Sequence, residues 1–487
     1  MKRQKLIFLF IVFVAFACNV EQNADSSAND NLLHFALEKI GEPVSLHFWN
    51  EEYHLFLNQA ENDSAGIKHF KSKNLLSWQE IPTVFGEGNN TIKSACVIRD
   101  WNNELALDDV NEPLLAFSIK NKDEKAKQQT IELSYSKDLG NTWATFDGLL
   151  NFSNPIASLN DLKVFWHEET QRWMMLLLKY DQLEIYSSID LINWEFVNIL
   201  DDEETVKKGN WTSLEFFSME TAESQQMKWC LCISTEVGSP NGGMGTQYFV
   251  GDFDGYQFYT NDDVKWMDNG TDFTAPIVLS NHLLVNKKPV CIAQVNTGQS
   301  TPTLSLPRSL SLINKYNEYF ICSSPLQELE QQKNKTKLLA EQEFSGELKI
   351  EKKQELPLEI KLTFDLNNRK YLDFAEVYGL ILENEKQERI IVGYHNLHRY
   401  FFISFQNEQE NIVEKIDYAP CIIDQTEVEF QLIVDNATVE LFALDGLISM
   451  TKNYPSNSVF NQINLFTEGG KITLREGSIT QISKLVN

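Results

Sequence analysis

The sequence predicts an all-β chain, a β-propeller followed by a C-terminal β-sandwich, on three observations. Helix signals are rare, while short alternating or apolar runs bounded by Asn, Asp and Gly recur along the chain. A Ser–Asx–Trp pattern returns at a spacing of roughly 50–65 residues, the scale of one propeller blade. Beyond about residue 340 the pattern changes to clean apolar–polar alternation, as in antiparallel strands with one wet face.

Taken in order, the first part offers strands at Tyr53–Leu57, Leu114–Ile119, Ile131–Ser136, Trp173–Lys179, Leu183–Ser187, Trp229–Ser234 and Gln247–Gly251. The repeat is Lys71 to Trp78, then Ser136 to Trp143, then Ser187 to Trp194. In each copy the Asx can cap a turn through its own backbone and the Trp can pack between sheets, so the repeat is architecture rather than chemistry. The polar stretch Gln327–Lys337 reads as a linker with some helical propensity. After it Leu348–Lys352, Leu358–Phe364, Val428–Val434 and Val439–Ala443 alternate. These boundaries predict a propeller over 33–335 and a sandwich over 340–487.

The chain's beginning has its own signature. Lys2, Arg3 and Lys5 precede an apolar run from Leu6 to Ala17, too short to span a bilayer and suited to a signal peptide. It ends in Ala15-Phe16-Ala17-Cys18, which predicts removal of residues 1–17 and lipidation of Cys18, with 18–32 as a flexible tether. That places the chain in a bacterial cell envelope, on the outer membrane or cell surface, attached by the lipid alone. Plain Ala-x-Ala cleavage, giving a periplasmic or secreted protein, is the alternative.

A net charge of −27 argues against nucleic-acid binding, which needs a basic footprint, and is compatible with a neutral glycan. Seven cysteines at scattered positions suggest neither a disulfide framework nor a zinc site, and the histidines show no paired ligand spacing. No metal or cofactor is expected.

An ordered set of motifs then narrows the reading. Glu52-Tyr53-His54-Leu55-Phe56 comes first, followed by Ser94-Ala95 with Asp100-Trp101-Asn102-Asn103, and by Asp161-Leu162-Lys163-Val164-Phe165-Trp166. Next come Pro240-Asn241-Gly242-Gly243, Gly245-Thr246-Gln247-Tyr248-Phe249 and Gly251-Asp252-Phe253-Asp254-Gly255, then Leu306-Pro307-Arg308. The last is Val434-Asp435 with Val439-Glu440-Leu441-Phe442 and Asp445-Gly446. This collinear series, from about His34 to Pro455, resembles glycoside hydrolase family 32, the levanase, inulinase and invertase family. The resemblance implies five blades, a glycan ligand of fructan type, and a funnel holding three carboxylates.

At those three positions the chain departs from the family. Counting back from Glu52, the family's WMNDPNG motif falls on Lys39 to Ser45 and leaves Glu42 where the nucleophilic Asp stands. The transition-state-stabilising Asp of RDP is matched by Asp161, with Asn160 in place of the Arg. The acid/base Glu of WECPDLF becomes Thr212, and Glu215 takes the position of that motif's Asp. A threonine hydroxyl does not titrate near neutral pH, and general acid catalysis is worth roughly 10²–10⁴-fold. Glu215 is a possible substitute acid, although an odd offset along a strand turns it to the opposite face unless the backbone bulges. Ser94, Asn160 and Trp211 take substrate-binding positions; the family's FSGS reads Thr91-Ile92-Lys93-Ser94. The leading expectation is a non-catalytic, glycan-binding relative. A glycosidase with rearranged residues and a protein-binding propeller are the alternatives.

Overall fold

The computed structural model describes residues 33–35, 40–59, 66–85, 92–107, 112–123, 128–180, 182–200, 210–261, 263–279, 288–296, 302–351, 354–369, 371–407, 412–413, 416–454 and 459–485. The expected signal peptide, Cys18 and the tether lie outside the described residues, as do Lys39 and Thr91.

Five sheets follow one another along the chain, antiparallel except where Asn151–Phe152 pairs parallel at the outer edge of the third, and their innermost strands are Ile40–Trp49, Ile92–Arg99, Asp161–His167, Trp211–Glu220 and Phe273–Leu279. These five strands touch in sequence, and the fifth touches the first, so the ring is closed. The architecture is a five-bladed propeller.

Packing explains why several blade strands read as continuous apolar runs. A blade is covered on both faces. In Arg172–Leu178 the residues Trp173, Met175 and Leu177 join a cluster with Phe117 and Leu133 of the second blade. Met174, Leu176 and Leu178 join another with Phe216 and Phe249 of the fourth. Three further clusters fill the remaining spaces between neighbouring blades, including the seam where Leu46 and Leu55 meet Ile277 and Ile292. Each fully buried side chain of this size contributes about 1.5–3 kcal/mol.

The repeated turn is built as its residues require. Ser72, Ser136 and Ser188 each donate to the Asx two positions on, Asn74, Asp138 and Asp190, at 3.2, 2.9 and 3.0 Å. The Asx oxygens in turn accept the N–H groups of Ser77, Thr142 and Asn193. The next residue is leucine in all three copies, at φ of 64°, 59° and 62°. Left-handed backbone is unfavourable for leucine, and the Ser–Asx hydrogen bonds hold it there.

The second unit consists of two seven-stranded sheets around one apolar core. The stretch expected to be a linker, 327–337, is instead a 3-10 turn, Gln327–Gln332, that runs into the strand Lys333–Leu339. That strand pairs with Lys471–Ile482 at a sheet edge. Pairing with a distant strand satisfies a polar backbone whose own sequence carries no apolar alternation.

The two units meet across buried polar groups. Arg308 of the fifth blade reaches Glu440 of the sandwich and Asp268 of the propeller. His34 lies between Asp435 Oδ2 at 3.0 Å and Glu440 Oε1 at 2.8 Å.

Candidate functional site

Glu42, Ser94, Asp161 and Thr212 all stand near the first residue of their inner strands, at one end of the central axis. The parallel arrangement of inner strands in a propeller brings these starts together, although the positions lie far apart in sequence.

Asp161 is the most tightly held. Its Oδ1 accepts from the Ser94 hydroxyl and from the N–H of Leu162 at 2.8 Å. Its Oδ2 accepts the N–H of Leu214 at 2.7 Å. Burial pushes this carboxyl up to about 6; the Ser94 hydroxyl and the two N–H groups pull the other way, and the charge of Glu215 adds to the rise. Glu42 is pushed up to about 7, by burial first and by the charge of Asp161 second, against the lowering effect of Lys93. The structure therefore brings Glu42 and Asp161 into one electrostatic unit, in which the charge of Asp161 disfavours that of Glu42.

Lys93 belongs to this unit, and the sequence reading did not select it. Its Nζ donates to the Leu159 carbonyl at 2.8 Å and to Asn160 Oδ1 at 2.7 Å. It is a cation within electrostatic reach of both carboxylates. The available signal was a lysine at the glycine position of the segment set against the family's FSGS. Asn160 donates from Nδ2 to the Trp211 carbonyl at 2.5 Å. Both ends of its amide thus bond to protein, and it joins the second, third and fourth blades.

Two expectations are corrected. Trp211 does not line the funnel: its indole is buried with Met174, Leu176 and Phe249 between the third and fourth blades. Glu215 is not placed as a free acid. Lys163 Nζ lies 2.6 Å from its Oε1, and its oxygens accept the N–H groups of Phe216 at 3.0 Å and Val278 at 3.2 Å. Burial raises its pKa while Lys163 opposes the rise. The odd-offset argument also fails locally, because the register between Trp211–Glu220 and Met227–Thr235 shifts between Trp211 and Ser213. Thr212 sits at this irregularity. An extra residue there resets which face every later side chain takes, so the central position of Glu215 follows from the bulge.

The pair Glu42 and Asp161 can do two things chemically. Carboxyls in their protonated and ionised forms can donate to and accept from sugar hydroxyls. A carboxylate can also act as the nucleophile, and a protonated carboxyl as the general acid, of a retaining glycosidase.

Comparison with known proteins fits this geometry. The model of the glycosyl hydrolases family 32 N-terminal domain matches residues 36–342, and that of the family's C-terminal domain matches 325–481. A levanase of Bacillus subtilis is 24% identical, over 99% of this chain and 74% of its own. An extracellular exo-inulinase of Aspergillus niger is 26% identical, over 90% of this chain and 91% of its own. The crystal structure of an exo-inulinase from Aspergillus awamori superposes with a TM-score of 0.81 at 23% identity, covering 95% of this chain and 99% of that one. A fructofuranosidase from Schwanniomyces occidentalis in complex with fructose gives 0.78 at 22% identity, covering 94% and 99%. With both of its units matched in order, the chain belongs to glycoside hydrolase family 32.

Proposed function

We propose that this chain is an exported family 32 protein that captures a fructan-type glycan at the propeller funnel and does not hydrolyse it at a rate useful to a cell. One observation carries the reading: Glu215, the substitute acid that the sequence offers once the motif alignment sets Thr212 at the family's acid/base position, is committed to Lys163. Nucleophilic attack and leaving-group protonation are separate requirements, so a retained Asp161 does not replace the missing acid. The substrate class comes from the relatives, which are named as levanase, exo-inulinase and fructofuranosidase. Attachment to a membrane through a lipid on Cys18 is part of the proposal. It rests on the charged start, the short apolar run and Ala17-Cys18.

A second reading, a working glycosidase with rearranged residues, is favoured by a specific observation. Carboxyls held at about 7 and about 6 are partly protonated at neutral pH, as a general acid needs. One experiment separates the two. Reducing-sugar release from levan, inulin and sucrose is measured beside binding of the same sugars. The proposal expects binding that Asp161→Ala removes, with turnover below about 1 s⁻¹, the low end of ordinary enzymes. Faster turnover that Glu42→Gln abolishes establishes the second reading instead. Metabolic labelling with a lipid precursor tests the anchor: the wild type takes the label, and a labelled Cys18→Ala variant refutes it.

A further inference from the structure

At the other end of the axis, away from Glu42 and Asp161, the propeller carries a cavity of about 560 Å³. Arg99 and His167, which line it, are the last residues of their inner strands, whereas Ser94 and Asp161 stand at or near the first. Six strand steps of about 3.3 Å put roughly 20 Å between Asp161 and this cavity. The volume falls within the range of about 300–1,000 Å³ common for small-ligand sites. We infer that this opposite mouth of the propeller is a second binding site, and that its ligand is a sugar unit of a neutral glycan.

The walls argue for a sugar. Trp101, Trp166 and Trp229 line the cavity, and Trp101 is 44% exposed. The indoles are fixed. Trp101 lies 5.1 Å from Trp173 and meets Trp166 edge-on at 6.3 Å. Its turn is pinned by Asp100, which accepts the N–H groups of Glu104 and Leu105. Trp166 Nε1 donates to Glu168 Oε2 at 2.8 Å, and Trp229 stacks on Phe216 at 4.8 Å. Such rings lose little side-chain entropy when a ligand covers them. They offer flat apolar faces to the C–H side of a sugar ring.

Polar groups for the hydroxyls flank those faces. Arg99 and Glu112 form an ion pair on the wall, and the buried Nε of Arg99 has no hydrogen-bond partner among the described residues. The cavity continues inward into a narrower space of about 180 Å³ that shares Arg99, Trp101, Trp166 and Trp229 with it. There the buried Nε2 of His47 also lacks a partner among the described residues. Unsatisfied buried donors and acceptors are costly, and a polyhydroxylated ligand or its bridging water relieves them.

The charges select against other ligands. Arg99 offsets Glu112, which leaves Glu168 and Glu169 on the wall of a chain of net charge −27, a poor setting for an anion. A compact cation needs aromatic faces set around it, whereas Trp101 and Trp166 pack edge to face on one another, with Arg99 beside them.

The site is tested in full-length Asp161→Ala protein, in which the funnel pair is broken, so that failure of the funnel reading and failure of this one stay distinct. Tryptophan fluorescence is titrated with levan and inulin oligosaccharides of about five units, with xylo-, cello- and maltopentaose, and with tetramethylammonium chloride. At least one sugar is expected to change the emission saturably, and to bind at least about tenfold more weakly after Trp101→Ala. Trp101→Phe, which keeps a flat face, should retain part of the affinity and controls for loss of folding. The inference is overturned if no sugar in the panel binds, if binding ignores Trp101, or if tetramethylammonium binds more tightly than every sugar with the same dependence on Trp101.

Discussion

Arg308 Nη2 lies 2.7 Å from Glu440 Oε2, and this ion pair joins the fifth blade to the sandwich with both side chains shut away from solvent. The guanidinium uses its whole fork. Nε also reaches Glu440 at 3.1 Å, Nη1 donates to Asp268 at 2.8 Å, and Nη2 to Thr451 Oγ1 at 2.5 Å. The rings of Phe273 and Phe442 lie under it at 4.5 and 5.0 Å.

Removing that guanidinium strands two buried carboxylates. Arg308→Met is expected to cost about 3–5 kcal/mol, the range for breaking a buried pair from one side. Arg308→Lys should recover only a minor part, because an ammonium cannot address Glu440, Asp268 and Thr451 in one plane. Chemical denaturation of the three proteins checks the order; an Arg308→Met midpoint equal to wild type would remove the junction from the account of stability.

The same junction sets an alkaline limit. Burial alone would lower the pKa of His34, but the hydrogen bonds and charges of Asp435 and Glu440 outweigh it and hold the imidazole up at about 9. A raised folded-state pKa means that this stabilisation is fully present below 6.5 and is lost as pH climbs through about 9. Glu440 behaves oppositely. Burial raises it, Arg308 and His34 lower it more, and it rests at about 2, so its contribution holds above 4.5 and fades as pH falls through about 2. Thermal unfolding followed from pH 5 to pH 10 should show a decline beginning above 6.5 that His34→Gln flattens.

At the funnel the sign reverses. Glu42 at about 7 and Asp161 at about 6 are carboxyls whose charge the folded state resists, so they destabilise the protein at alkaline pH. Glu42→Gln is therefore expected to stabilise the chain at pH 8 by on the order of 1–2 kcal/mol, discounted for the group's partial exposure. At pH 4 it should have little effect, since Glu42 is then protonated when folded and mostly protonated when unfolded. Binding or chemistry at this pair would in that case be maintained against stability. Equal midpoints at pH 8 would show that water reaches the pair freely.

How much of this the sequence disclosed depends on the range of the interaction. The Ser–Asx–Leu turns were legible because their hydrogen bonds close within five residues. The convergence of Glu42 with Asp161 was legible through collinear motifs that fix each at the start of an inner strand. The facing of Trp211 and Glu215 was not, because it depends on a register shift set by the neighbouring strand. Nor was the fate of Lys333–Leu339, a polar segment drawn into a sheet by the far end of the chain. The two contacts between Leu33 and His34 N–H groups and Asp435 Oδ2 span some four hundred residues and leave no local trace.

Those two contacts also fix how the molecule responds to pulling. Each blade is built from consecutive strands, and among the described residues, 33–35 lend no strand to any of the five sheets. They are fastened instead by Asp435 and Glu440 in the sandwich, and by the Phe35 carbonyl, which accepts the N–H of Leu304 in the fifth blade. Tension applied at Leu33 meets a clasp across both domains before it reaches the first blade. The pull loads several buried bonds in parallel rather than peeling a sheet one rung at a time. A chain held by its N-terminal end would thus keep its blades in register until that clasp gives way.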